Sequence, residues 1–475
     1  MTPTHTLLRF TDAAEAERVY RHLRFHPELV TVQYNWAVQP RRAPNDPDYD
    51  RQDNLQRLGF PELWDQTTGG SLPNGVPIVT AVLDAGFDAE HEDLRDNLWV
   101  NAGEVPGDGV DNDGNGYVDD VHGFNFIDSL GGEYNINAHG TQVTGIVGAV
   151  GDNGIGVAGT HWEAHLMLFS IRTVADIVQA YTYVVDQRRA FNESRGARGA
   201  FVAATNASFG VEGATCADFP VWGAMYDRLG EVGVLTAASV ANAPIDVDLT
   251  EDMPTDCPSE FLLTVTNVGL HNELQPTAAY GLSQVDLAAT GEGSYTTRPG
   301  DRYGPFGSTS AAAPYVTGAI SLLYATACPQ LVATLFERPA VAARLVRDAI
   351  LEGTVANASL SGKTVTGGVL EVAAAHELLA ASCPAPDPQD LVVTSISPNP
   401  TTGPVVLLIN QLVLPEGLSV RMLNAVGQYV TDVVYEPVFA STAGLRLDLG
   451  GLPAGYYLIS LGGKTLHAHA AVVVH

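Results

Sequence analysis

Ile78-Val79-Thr80-Ala81-Val82-Leu83-Asp84-Ala85-Gly86 is the stretch on which the reading of this chain turns. An unbroken apolar and β-branched run ends in a carboxylate, and a glycine two residues on allows a tight exit. Such a run reads as a strand over 76–83 buried on both faces, as strands of parallel sheets are. Catalytic groups in open α/β sheets lie beyond the carboxyl ends of the strands. A carboxylate at Asp84 can there be buried and can orient an imidazole.

The surrounding 48–384 region keeps the same alternation. Ala200–Ala207 and Gly233–Ala238 read as strands, and His139–Val150, Val174–Phe191 and Ser310–Ala327 as helices rich in small residues. Strands alternating with helices imply a parallel sheet covered on both faces, an α/β fold.

Two further segments carry chemistry. His139-Gly140-Thr141-Gln142-Val143-Thr144-Gly145 opens one helix with an imidazole, its glycines tolerable if another element packs closely on the backbone. Ser308-Thr309-Ser310-Ala311-Ala312-Ala313-Pro314 opens another with a hydroxyl. Pro314 is acceptable in the first turn, whose N–H groups lack intrahelical partners and, with the helix dipole, favour negative charge. The order Asp, His, Ser is one of three chain orders known for a nucleophilic triad. The plain alternatives are a strand-end turn, a structural histidine and an N-cap serine.

Together the three blocks resemble those of the subtilisin-like serine proteases, and the resemblance runs over about 340 residues. It implies a subtilisin-like sheet flanked by helices and an endopeptidase acting on proteins or peptides. By that resemblance Asp84 would orient His139, His139 would take the proton of Ser310, and Ser310 would attack the carbonyl. It also implies that Asn242, ending Gly233–Asn242, donates to the oxyanion alongside the Ser310 N–H. Ser208-Phe209-Gly210 would pair with extended substrate and form one wall of the main specificity pocket. Ser239-Val240-Ala241 would form the other. Both walls are small to medium and apolar, so an uncharged or apolar substrate side chain is expected. The chain departs from the family pattern at Ala85 (Ser or Thr), Gln142 (His), Ala241 (Gly) and Ser308 (Gly). Gln142 is outside the triad, but Ala85, Ser308 and Ala241 keep open a second reading, a surface binding protein on an impaired protease scaffold. A metal-dependent hydrolase built on His91, Asp93 and His139 is a third.

Between acid and histidine lies Asp108-Gly-Val-Asp111-Asn-Asp113-Gly-Asn115-Gly116-Tyr117-Val-Asp119-Asp120. Oxygen ligands at alternating positions 111, 113 and 115, a turn glycine and the carbonyl of Tyr117 imitate the start of a calcium loop. The closing glutamate is replaced by His122, so Asp119 or Asp120 would complete the site. The alternative is a solvated acidic loop.

The flanks differ in character. Residues 1–43 read strand, helix, strand, with the helix from Asp12 to about His26. The resemblance makes this the rear of an inhibitory propeptide, cut near residues 40–46, ahead of a catalytic domain over 44–384. Residues 385–391 are a Pro-rich linker, and 392–475 read as a small β-sandwich. Ser397-Pro398-Asn399-Pro400, Asn424-Ala-Val-Gly427-Gln428 and Leu452-Pro453-Ala454-Gly455-Tyr456-Tyr457 resemble the C-terminal sorting domain of the type IX secretion system. That resemblance implies secretion or surface display through that machinery. The start Met1-Thr-Pro-Thr-His has no secretory signal pattern, which taken alone points to a cytoplasmic protein or an incomplete start.

Composition sets the limits. The 475 residues carry a formal charge of −30, from 54 acids against 24 bases, which disfavours nucleic acid as a partner. No apolar run is long enough for a bilayer span. Four cysteines hint at an oxidising compartment, and three pairings are possible. Sequential pairing, Cys216 with Cys257 and Cys328 with Cys383, keeps each bridge within one contiguous region.

Overall fold

The computed structural model describes residues 42–383 and, beyond them, residues 8, 18–20, 23, 393–397, 399–409, 418–424, 429–439, 443–462 and 467–474. The chain divides into two compact units, Met1–Arg42 and Ala43–His475. Of the strand–helix–strand expected at the start, residues 18–20 and 23 are helical. Leu8 is in no regular element, and the other residues before Arg42, with the linker at 385–391, lie outside the described residues.

The apolar run becomes β1 (Val79–Asp84), every residue of it buried. After it come α1 (Ala138–Gly148), β2 (His165–Ser170), α2 (Val174–Ser194), β3 (Val202–Ala207) and α3 (Pro220–Val232). Then follow β4 (Leu235–Ser239), β5 (Leu262–Val268), β6 (Leu287–Thr290) and α4 (Thr309–Ala325). The six strands form a parallel array in the order β6-β5-β4-β3-β1-β2. Short strands at Gly123–Asn125 and Gly368–Val369 continue it on either side. The chain leaves β1 to one side with β2 and returns to its other side with β3. The carboxyl end of β1 therefore opens between diverging connections, where such sheets place their ligands.

Helix positions follow local chemistry. The Asn137 side chain caps α1 by accepting from His139 N, and a Thr173–Asp176 capping box starts α2. Every residue of α4 is buried, as an all-round apolar helix requires. Its one hydroxyl facing β1, Ser321, is satisfied by Thr80 at 2.7 Å. No single described helix is long and apolar enough to cross a membrane.

The domain's first described residues are tied down. Asp46 accepts from Asp152 N and Asn153 N, and Asp48 N donates to the Gly156 carbonyl. Disulfides join Cys216 to Cys257 and Cys328 to Cys383. Beyond residue 392, two antiparallel four-stranded sheets share a core that includes Val405, Leu407, Met422, Leu445, Ile459 and Val472. Their strands include Val393–Ser397, Tyr429–Asp432 and Tyr435–Phe439.

Candidate active site

Asp84 closes β1 with its side chain 5% exposed. Its Oδ1 accepts from Ala85 N at 2.7 Å, so backbone steadies the carboxylate where the family has a hydroxyl residue. Its Oδ2 accepts from His139 Nδ1 at 2.7 Å. The approach is possible because residue 140 is glycine: a Cβ there would lie 2.1 Å from the Gly86 carbonyl and 2.9 Å from Asp84 Cβ. Burial pushes the His139 pKa down, but the hydrogen bond and charge of Asp84 outweigh it and the net direction is up. With Nδ1 engaged, Nε2 is left to handle a proton. The edge of the Phe306 ring meets the imidazole, centroids 5.6 Å apart.

The hairpin made by Ser294–Arg298 and Arg302–Phe306 connects the histidine helix to the serine helix. Thr296 and Thr297 donate to the carbonyls of Gln142 and Thr141, in α1. Gln142 in turn donates to the Pro305 carbonyl. The chain then passes through Ser308 directly into α4. Ser308 has φ 69° and ψ −175°, a combination that is essentially glycine territory.

Ser310 is the second residue of α4 and 8% exposed. Its carbonyl would ordinarily accept from residue 314, but Pro314 has no N–H. The Ser208 hydroxyl donates to that carbonyl instead, at 3.0 Å, and itself accepts from Asn206 Nδ2 at 2.9 Å. The substrate-strand segment is thereby fastened to the nucleophile's own turn. Among the described residues, no hydrogen bond joins the Ser310 hydroxyl to His139. Resting sites often hold this bond long, and substrate tightens it.

Asn242 is oriented by Thr309, the residue before the serine. The Thr309 N–H and hydroxyl lie 3.1 and 2.8 Å from Asn242 Oδ1. With its oxygen occupied, the amide presents Nδ2 as a free donor, the role an oxyanion needs. Of the two expected walls, Ser208, Ser239, Val240 and Ala241 are buried, while Phe209 and Gly210 are more open. Asp84, His139, Ser208, Phe209 and Gly210 line a cavity of about 300 Å³, which extends over the apolar Val174, Ile177 and Trp222.

The acidic loop brings two residues of its alternating pattern beside a third carboxylate from outside it. Carboxylate oxygens of Glu104, Asp111 and Asp113 lie within 4.8 Å of one another. Asp119 instead accepts from the N–H groups of Gly107, Asp108 and Gly109. Asp120 is buried on Tyr183, Asn101 and Asn115, and the Tyr117 ring packs on Phe124 and Phe126. Glu104 was not evident from the sequence; it stands before the loop and folds back, accepting from Asn112 N, Asp113 N and Asp119 N. The His91–Asp93–His139 set does not converge. His91 is engaged with Arg302 and Asp93 N, Asp93 with Asn153 and Val157, and His139 with Asp84.

Known proteins place this geometry in context. The model of the subtilase family, peptidase S8, matches residues 75–370, more than half of the chain. Subtilisin-like protease 1 of Plasmodium vivax is 27% identical over 266 residues, 51% of this chain and 40% of that protein. The major intracellular serine protease of Bacillus subtilis is 26% identical over 282 residues, 57% of this chain and 74% of its own length. Thermitase of Thermoactinomyces vulgaris is 28% identical over 291 residues, 59% of this chain and 85% of its length. The chain thus spans about two-fifths of the length of the Plasmodium relative. A protease of Pseudoalteromonas arctica PAMC 21717 shares the fold with a TM-score of 0.50, at 21% identity, covering 72% of this chain and 99% of the other. The aspartate-paired histidine, the serine at a helix start and the family match over 75–370 agree: the chain belongs to the subtilase family.

Proposed function

We propose that this protein is a serine endopeptidase. The observation that carries the reading is the Asp84–His139 pair at 2.7 Å, held by one sheet end and one helix start. His139 Nε2 takes the Ser310 hydroxyl proton as the oxygen attacks the peptide carbonyl, and the positive imidazole is stabilised by Asp84. The tetrahedral oxyanion is held by Asn242 Nδ2 and the Ser310 N–H. His139 then protonates the leaving amine. Water, deprotonated by the same imidazole, cleaves the acyl-enzyme and restores Ser310. The strained Ser308 and the missing Ser310–His139 hydrogen bond favour the rival reading of an impaired scaffold that binds and does not cut.

Fluorophosphonate labelling with peptide mapping separates the two. The expected result is modification of Ser310 and casein hydrolysis that Ser310→Ala abolishes. Label elsewhere, or none on fully processed protein, overturns the proposal.

The protein's setting is proposed as well. Residues 1–43 would act as part of an inhibitory propeptide, and 392–475 as a sorting domain for type IX secretion, giving a secreted or surface enzyme. The oxygen-only donors of Glu104, Asp111 and Asp113 suit a hard divalent cation. Calcium held there would neutralise packed carboxylates and brace the loop, a structural role.

A further inference from the structure

Asp252 touches both segments expected to wall the specificity pocket. It begins the two-residue strand Asp252–Met253, which pairs antiparallel with Val211–Glu212, the residues directly after Gly210. Gly210 packs so closely on this strand that a Cβ would lie 2.5 Å from the Met253 carbonyl. The backbone of Asp252–Met253 thus lies against one wall of the cleft. Its side chain reaches the other: Asp252 Oδ2 accepts from Ala241 N at 3.0 Å and from Thr255 Oγ1 at 2.6 Å. The carboxylate therefore sits where the Ser208–Gly210 and Ser239–Ala241 walls meet.

The group is placed firmly. Asp256 accepts from Cys216 N, and the Cys216–Cys257 bridge ties the loops after both short strands together. Asp252 is 2% exposed, yet no lysine, arginine or histidine pairs with it among the described residues. Both hydrogen bonds fall on one oxygen; Oδ1 receives none, and it is not among the sealed, unpartnered atoms of the core. Burial first, then the charges of Glu212 and Asp256, hold the carboxyl's pKa above its ordinary value, although the bonds from Thr255 and Ala241 pull it down. An acid held against both expected walls, with one oxygen uncommitted and no basic partner among the described residues, is set to meet a basic side chain.

We propose that Asp252 selects substrates with arginine or lysine on the acyl side of the scissile bond, in place of the apolar residue expected from the wall residues alone. This inference deepens the endopeptidase reading and rests on it. The desolvation cost of the carboxylate is already met in the free protein, so an entering cation gains the pairing. A neutral side chain leaves the carboxylate unpaired, and an acidic one meets like charge.

The test uses fluorogenic peptides that differ only at that residue: Arg, Lys, Leu, Phe or Glu. The wild-type protein is expected to give kcat/KM at least tenfold higher for Arg and Lys than for Leu, with Glu lowest. In Asp252→Asn, which keeps an acceptor for Ala241 N, the Arg-to-Leu ratio is expected to fall at least tenfold. A purely structural role would lower both substrates together and leave the ratio unchanged, which refutes the proposal. Cleavage that favours Leu or Phe in the wild type refutes it without any variant. Failure to cleave any peptide refutes the endopeptidase reading itself, and the two failures are told apart by whether Leu and Phe peptides are cut.

Discussion

Ser308→Gly should stabilise this protein, although it removes a side chain beside the proposed nucleophile. At φ 69° and ψ −175° a residue with a Cβ carries about 1–3 kcal/mol of backbone strain. The Ser308 side chain makes no capping hydrogen bond to α4, so deleting it forfeits none. Against the relief stands the freedom that glycine adds to the unfolded chain, about 0.4–1 kcal/mol. The balance is a gain of roughly 1–2 kcal/mol. For a cooperative unit of about 340 residues, whose unfolding entropy is near 0.7 kcal/mol/K, that raises Tm by about 2 °C. The measurement is calorimetry in a Ser310→Ala background, so that self-digestion does not contribute. Ser308→Val, β-branched in the same conformation, should shift Tm downward. If the glycine variant melts at or below its parent while Ser308→Val is neutral, the strain argument is wrong.

Three other outcomes are expected. Ser208→Ala leaves the Ser310 carbonyl without the donor that Pro314 cannot supply, at a cost of about 1–3 kcal/mol read by denaturant unfolding, with kcat/KM lowered as the nucleophile's turn loosens. Catalysis needs a neutral His139 whose pKa lies above 6.5, so the acid limb of kcat/KM should centre above that pH. Asp84→Asn should move it lower and reduce kcat by about 10⁴-fold. The folded-state contribution of the pair runs the other way: it is full below pH 6.5 and fades as pH rises through the raised value. Calcium at about 100 times its Kd should stabilise the fold by about 2.7 kcal/mol, and Glu104→Gln with Asp111→Asn should remove that shift in a thermal melt.

What could be read in advance was whatever one element states about itself. The apolar run before Asp84, the small-residue helix after His139 and the turn before Ser310 announce strand, helices and their ends. Residues in contact through folding do not advertise it. Glu104 lies 7 and 9 positions before Asp111 and Asp113, outside the alternating pattern of the loop, and joins them only because the chain doubles back. Phe306 meets His139 through a hairpin that nothing near the histidine foretells.

Sequence alone thus determined the alternation of strands and helices, and with it the parallel α/β architecture. Runs of buried side chains and capping residues act within a few positions of one another. The tertiary structure decided which oxygen faces which donor. Ser208 supplies the hydrogen bond that Pro314 withholds from a carbonyl 102 residues along the chain. Asp252 comes beside Gly210 and Ala241 because strand pairing sets Glu212 opposite it. Such meetings depend on register and packing between distant segments, which local periodicity does not encode.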